Sequence, residues 1–76
     1  MFITNIYKLV VRYSGSFDSD VIPRIFFNEA KARQHAKEIA DEKFYDDREI
    51  DDVIIYREVP DPDLGWFRTA GMSKVE

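Results

Sequence analysis

The chain has no cysteine and a single histidine, His35. Without thiols it can form neither disulfide bridges nor the common cysteine-ligated zinc sites, and it has no thiolate nucleophile. One histidine also excludes every metal site that needs two imidazole ligands. We therefore predict no metal, no other cofactor, and a fold that forms without either.

Positive charge is scarce as well. Eleven Lys and Arg oppose fifteen Asp and Glu, so the net charge is −4, and the basic residues are scattered along the chain. Direct binding to nucleic acid depends on clustered cations that displace counterions from the phosphates. We therefore expect no direct contact with nucleic acid.

Long apolar runs are absent from the sequence. No segment approaches the roughly 20 apolar residues of a membrane span. The first residues, MFITNIYKLVV, lack the basic region and the cleavage site of a signal peptide. We expect a cytoplasmic protein without a membrane segment.

The chain is nevertheless rich in apolar residues, with 45% hydrophobic and 14% aromatic. That content is too high for a disordered acidic tail and is typical of a globular protein. The 76 residues predict one domain, residues 1–76. A domain of this size buries only about 60% of the surface that its unfolded chain exposes, so we expect a thin core.

The first part of the chain predicts a hairpin of two strands. Residues 6–13 alternate with period two and are rich in β-branched and aromatic side chains, which indicates a strand. Residues 14–20 are dense in turn formers and predict the hairpin loop. Residues 21–27 return as a second strand, and Pro23 confines it to a sheet edge because proline has no N–H to donate.

A helix is predicted over residues 29–45. Asn28 lies where an N-cap is expected, since its side chain can accept from the first free N–H groups of a helix. The helical period places five apolar residues on one stripe: Ala32, Ala36, Ile39, Ala40 and Phe44. Three alanines in this stripe predict a close approach of the helix to a sheet.

Two further strands complete the predicted fold, over residues 53–59 and residues 66–71. Residues 60–65 between them contain two prolines and predict a turn that ends the first of these strands. The expected fold is therefore α+β with the order ββαββ, in which one helix packs on one face of a small four-stranded antiparallel or mixed sheet.

The stretch FYDDREIDDV, residues 44–53, has five acids among ten residues. A calcium loop would need a glycine at its sixth position, but counting from Asp46 that position is Asp51, and no glycine occurs from 44 to 57. Paired carboxylates can also act in acid–base catalysis, yet no other catalytic group stands nearby in the sequence. We therefore expect no metal ligand and no catalytic residue here.

Two interpretations of these acids stay open. They can form a solvated connection that charge keeps in water, or they can imitate phosphates and bind the Lys and Arg side chains of a nucleic-acid-binding partner. The second interpretation includes the end of the helix, and its candidate binding residues are Asp41, Glu42, Asp46, Asp47, Glu49, Asp51 and Asp52.

His35 and the Ser14–Gly15–Ser16 triplet have structural interpretations. His35 borders the apolar stripe of the helix and is expected to be half-buried, since no motif supplies it with a nucleophile to activate. The triplet follows a strand and opens no helix, so it is expected to be a hairpin loop and not a phosphate-binding turn.

Both faces of the predicted sheet carry apolar residues. Ile6 and Val10 lie on the second face of the first strand, and Trp66 and Phe67 must point to opposite faces. One helix covers only one face, and an exposed apolar face marks an interface unless loop and tail residues fold over it. We expect a homodimer or a protein partner on this face, and we count Trp66 among the binding residues.

A small, acidic, cysteine-free chain with one helix on a small sheet resembles, in size and general character, the inhibitors of host defence that bacteriophages encode, of the anti-CRISPR type. The resemblance covers the whole chain. It implies stoichiometric binding to a host protein, often one with a basic groove for nucleic acid.

Three hypotheses about function follow. The first is a non-enzymatic inhibitor that blocks a basic surface of a host protein with its acidic helix end and loop. The second is a structural homodimer or assembly component joined through the free sheet face. The third, which we rank last, is a small hydrolase or isomerase that uses His35 with the carboxylates, because only one histidine and no thiol are present.

Overall fold

The structure, a computed structural model, describes residues 5–75. Its elements, in chain order, are β1 (Ile6–Tyr13), β2 (Ser19–Phe26), α1 (Glu29–Glu42), β3 (Phe44–Tyr45), β4 (Arg48–Asp61) and β5 (Trp66–Lys74). Every strand pair is antiparallel. The predicted α+β class, with one helix on an antiparallel sheet, is confirmed, but the described sheet has five strands and not four.

Strand β4 is the centre of the sheet. It pairs with β1 through residues 50–58, with β3 through residues 48–49 and with β5 through residues 54–61. Among residues 5–75, strand β2 pairs only with β1 and forms one edge, as Pro23 predicted. The register of β2 shifts between the partners of Lys8 and Val10, which places Pro23 in an irregular stretch of that edge.

The helix packs on the sheet through its predicted apolar stripe. Ala32 and Ala36 are fully buried and Ile39 is 8% exposed, while Leu9, Val11 and Val53 are the largest fully buried side chains opposite them. Alanine at the contact lets the helix backbone lie close to the strands, as expected. Ala40 packs at the margin of this core.

The ends of the helix differ in how well the sequence predicted them. Asn28 caps the start, where its Oδ1 accepts from the Lys31 N–H at 3.1 Å. The predicted end at residue 45 is wrong, because Lys43 adopts a left-handed conformation with φ 66° and the helix stops at Glu42. Phe44 therefore lies in β3, with 56% of its surface exposed, and is not part of the buried stripe.

The predicted strand over residues 53–59 is too short at both ends. Strand β4 begins at Arg48, and it continues through Pro60, which pairs with Phe67. Among the described residues, β1 accompanies β4 only as far as Glu58, so beyond that point β4 has one partner strand and a missing N–H on its other side is tolerated. Strand β5 extends beyond the predicted end at residue 71 and includes residues 72–74.

A one-residue bulge interrupts the pairing of β1 with β4. Arg12 pairs with Asp52 and Tyr13 pairs with Ile50, so Asp51 is the additional residue. Ile50 packs against the core, whereas Asp52 lies on the other face of the sheet with Arg12. The bulge thus lets residues 50 and 52 point to opposite faces.

The second face of the sheet is less open than the sequence predicted. Ile6, Val10 and Ile54 are only 8%, 8% and 3% exposed, and our expectation that they stay accessible is wrong. Long side chains stand next to them on the same face. The Lys8 Nζ, for example, lies 2.7 Å from Glu58 Oε1 and 5.9 Å from the centroid of the Tyr56 ring.

The exposed apolar residues of this face lie toward the two edges of the sheet. They are Val21 and Ile25 on β2 and Met72 on β5. No helix within residues 5–75 is long and apolar enough to cross a membrane.

The helix–sheet contact leads to a first prediction. Ala36→Glu should destabilise the fold by at least about 3 kcal/mol, because it forces a larger, unpaired carboxylate into a fully buried position. Lys37→Glu, one residue further on and exposed, should change the free energy of unfolding by less than about 0.5 kcal/mol. Urea denaturation of both variants tests the assignment of the buried face, and equal stabilities would contradict it.

Candidate functional site

Most of the predicted acidic residues meet at one end of the sheet. Asp46 and Asp47 form a two-residue turn between β3 and β4, with φ of 53° and 63°. Positive φ at both positions is the geometry of a type I′ turn, for which Asn-Gly is the preferred sequence. The turn displays two exposed carboxylates at its tip, and Glu49 and Asp51 follow as exposed residues of β4.

The loop between β1 and β2, with the first residues of β2, brings further acids to the same end. The Tyr13 hydroxyl donates to Asp20 Oδ2 at 2.6 Å, and Asp18 Oδ2 lies 3.6 Å from Arg48 Nη2. Asp20 and Asp46 line one surface depression. No local sequence pattern indicates these two aspartates, because their position depends on the pairing of β1 with β4.

We call this region the acidic end and define it by its exposed carboxylates: Asp18, Asp20, Asp41, Glu42, Asp46, Asp47, Glu49 and Asp51. Arg48 is a basic residue at the centre of this region that contacts Tyr13, Ser16 and Asp18. Its guanidinium lies 4.0 Å from the centroid of the Tyr13 ring and donates to Ser16 Oγ at 3.2 Å. Ser16 also accepts from the Asp18 N–H at 3.0 Å, and residues 14–18 form the expected hairpin loop. The loop is shorter than predicted, because Ser19 and Asp20 already pair with β1 as the first residues of β2.

Asp41 and Glu42 reach the acidic end from the last turn of the helix. The Ile50 N–H donates to the Lys43 carbonyl at 2.9 Å, which places the helix end against the start of β4. No basic residue lies in that last turn. The partial negative charge at a helix C-terminus disfavours carboxylates there, so both acids weaken the helix that carries them.

Asp52 differs from the other predicted acids. Its side chain is only 15% exposed and lies between two cations of the second sheet face, 3.3 Å from Lys74 Nζ and 3.9 Å from Arg12 Nε. Its Oδ1 is buried and has no hydrogen-bond partner among the described residues. Asp52 is therefore an internal counter-ion and offers little charge to a partner.

Trp66 lies far from the acids with which it was grouped. It pairs with Asp61 at the last residue of β4, whereas the acidic end lies at the first. The 14 residues of β4 lie between the two, in a molecule whose longest dimension is 37 Å. The structure thus divides the predicted binding residues between two ends of the molecule.

The turn next to Trp66 is ordered by Asp61. The Asp61 carboxylate accepts from the N–H groups of Asp63 and Leu64, at 3.0 and 3.3 Å, and lies 3.3 Å from Arg68 Nε. Trp66 and Leu64 are 71% and 56% exposed beside it. This end of the molecule therefore presents apolar side chains on a well-defined turn.

His35 is half-buried on the helix, as expected. Its ring lies 5.4 Å from the Phe26 ring, and its Nδ1 is 3.7 Å from Glu38 Oε2. The surface depression beside it is lined by Arg24, Lys31 and Gln34 as well. Within residues 5–75, no serine, threonine or tyrosine lines that depression, and no three metal-ligand side chains come together anywhere.

Comparison with known proteins gives no indication of function, so the function is inferred from the geometry alone. No family model matches the chain, and neither the curated proteins nor the solved structures gave a match.

The contact between Tyr13 and Asp20 has a consequence for pH. Burial, together with the hydrogen bond and the charge of Asp20, raises the pKa of Tyr13 from 10.0 to about 12. Because the folded state holds this proton more tightly than the unfolded state, the protein should lose stability as the pH rises from about 10 to about 12. Below pH 10 the contribution is fully present.

Asp20→Asn should lower the pKa of Tyr13 and reduce this loss of stability, since the carboxylate that opposes phenolate formation is gone. Asp18→Asn removes the same charge two residues earlier in the chain, but Asp18 contacts Arg48 and not Tyr13, so this variant should leave the pKa of Tyr13 unchanged. The ring resonances of Tyr13 followed by NMR against pH report the pKa directly. Equal curves for wild type and Asp20→Asn would contradict this account.

Proposed function

We propose that the protein is a non-enzymatic binding module that captures a basic surface of a partner protein through its acidic end. The observation that carries the proposal is the convergence of exposed carboxylates from three separate segments at one end of the sheet. These segments are the β1–β2 loop, the last helical turn and the β3–β4 hairpin. Such a concentration of one sign of charge steers and holds a surface of the opposite sign.

The positions of the acids support a role beyond solubility. Asp41 and Glu42 oppose the helix dipole, and Asp47 occupies the second left-handed position of the turn, where glycine is less strained. A connection that only had to stay in water could use lysine at the helix end and glycine at residue 47. The stability lost at these three positions is consistent with selection for negative charge.

The nature of the partner follows from the same chemistry. Carboxylates on a strand, a turn and a helix end can form ion pairs with the Lys and Arg side chains that otherwise bind phosphates. In line with the resemblance to phage-encoded inhibitors, the proposed partner is a host protein with a basic nucleic-acid-binding surface, and binding blocks that surface.

A homodimer joined through the second sheet face is the alternative. Val21, Ile25 and Met72 are 57%, 54% and 68% exposed on that face and favour an apolar contact. Such a dimer should persist in both low and high salt because hydrophobic burial is not screened. Sedimentation of the protein at micromolar concentration in both conditions tests this, and a monomer in both would rule the dimer out.

The main test replaces charge without disturbing the fold. A variant with Asp46→Asn, Asp47→Gly, Glu49→Gln and Asp51→Asn should bind the partner at least about tenfold more weakly. A matched control, Glu38→Gln with Asp63→Asn, removes exposed acids away from the acidic end and should bind as wild type does. The wild-type protein is used to capture partners from an extract of the native host. Salt or duplex DNA is then added, and mass spectrometry identifies the proteins that are released.

If the partner still binds the variant with four substitutions, and neither salt nor DNA weakens binding, the proposal is wrong and the acidic end is only a solvated surface. Salt should weaken the wild-type complex because exposed ion pairs are screened over about 8–10 Å at physiological ionic strength.

The turn substitution makes a separate prediction about stability. Asp46→Asn with Asp47→Gly should raise the free energy of unfolding by about 1 kcal/mol, because glycine at residue 47 adopts positive φ with less strain than aspartate. Urea denaturation of this double variant measures the effect. A decrease in stability would contradict the idea that negative charge at the turn is retained at the expense of the fold.

A further inference from the structure

A pocket of about 220 Å³ lies on the helix side of the sheet, away from the acidic end. It opens between the first turns of α1, which supply Glu29 and Arg33, and strands β4 and β5, which supply Arg57 and Ser73. The binding of a basic partner at the acidic end does not use this pocket. Two guanidinium groups in one concave site, in a protein of net charge −4, call for an explanation.

The hydrogen bonds of the two arginines leave most of their donors free. Arg33 Nη2 lies 3.4 Å from Ser73 Oγ and 3.6 Å from Glu29 Oε1, both long contacts. Arg57 Nη2 donates to the Ala70 carbonyl at 3.3 Å. Because a guanidinium carries several N–H donors in a planar fork, each arginine can still bind a further acceptor.

Gly71 keeps space open beside Arg57. The Arg57 guanidinium lies across this glycine, and a Cβ built at residue 71 would meet its Nη2 at 3.5 Å. A larger side chain would extend into the pocket. Glycine inside a strand often marks such a close approach, and Gly71 lies in the middle of β5.

The pocket has a formal charge of +1, since two arginines face one glutamate. Its other walls are partly apolar: Tyr7 and Ile55, only 7% and 3% exposed, line it from the sheet. We propose that this pocket binds a carboxylate carried on a small apolar body, with Arg57 and Arg33 as the donors. A monoanion neutralises the site, and the planar carboxylate matches the guanidinium fork.

Two sources can supply this chemistry: a small organic acid, or the C-terminal carboxylate of a peptide with an apolar last residue. The test is a ¹H–¹⁵N NMR titration of the whole protein with isovalerate, with inorganic phosphate, and with an acetylated peptide ending in valine as acid and as amide. We expect saturable shifts at residues 33 and 71–73 with isovalerate and with the peptide acid, and none with the peptide amide.

Tighter binding of the peptide acid than of isovalerate would support the proposal with a peptide C-terminus as the source. Equal affinities would support it with a free organic acid. An absence of saturation with both carboxylates, or an equal response to phosphate, would overturn it.

Variants separate a specific site from general attraction to positive charge. Arg57→Gln should weaken isovalerate binding at least about tenfold. Gly71→Val should do the same while it keeps both arginines, because it fills the pocket, and Glu29→Gln should strengthen binding. Arg24→Gln removes the same charge from exposed strand β2 and should have no effect, so equal losses for Arg24→Gln and Arg57→Gln would overturn the proposal.

Discussion

The pairing of β4 on both of its edges is the interaction on which the rest of the structure depends. On one edge the register with β1 places Val53 opposite Val11 and Ile55 opposite Leu9, and these four side chains form the floor on which the helix packs. On the other edge β4 holds β3 and β5. A thin core on one side of the sheet is sufficient because a single strand fixes the positions of three others.

Both proposed sites depend on this central strand in different ways. The acidic end exists because the start of β4 brings a two-residue turn, a helix terminus and the β1–β2 loop to the same place. The carboxylate pocket exists because β4 and β5 extend beyond the helix and leave Arg57 and Gly71 uncovered beside Arg33. The two sites occupy separate surfaces and can be tested independently, since no residue belongs to both.

The sequence predicted what short-range periodicity determines and failed where distant residues meet. The alternation of residues 6–13 and the Asn28 cap specified β1 and the start of the helix, and the alanines specified the buried face. The end of the helix was misplaced because Phe44 continues the helical stripe, and only the positive φ of Lys43, Asp46 and Asp47 turns it into a hairpin. Strand pairing brings Asp20 beside Asp46, and packing of the helix on the sheet brings Arg33 beside Arg57. No local pattern encodes either contact.

The bulge at Asp51 shifts the alternation of inward-facing and outward-facing residues in β4 by one position. If residue 51 were paired in a regular ladder, Asp52 and Ile50 would point to the same side of the sheet. With the bulge, Ile50 faces the core while Asp52 stays with Arg12 on the other face. One extra residue thereby lets a single continuous strand combine an acid-rich start with an apolar core.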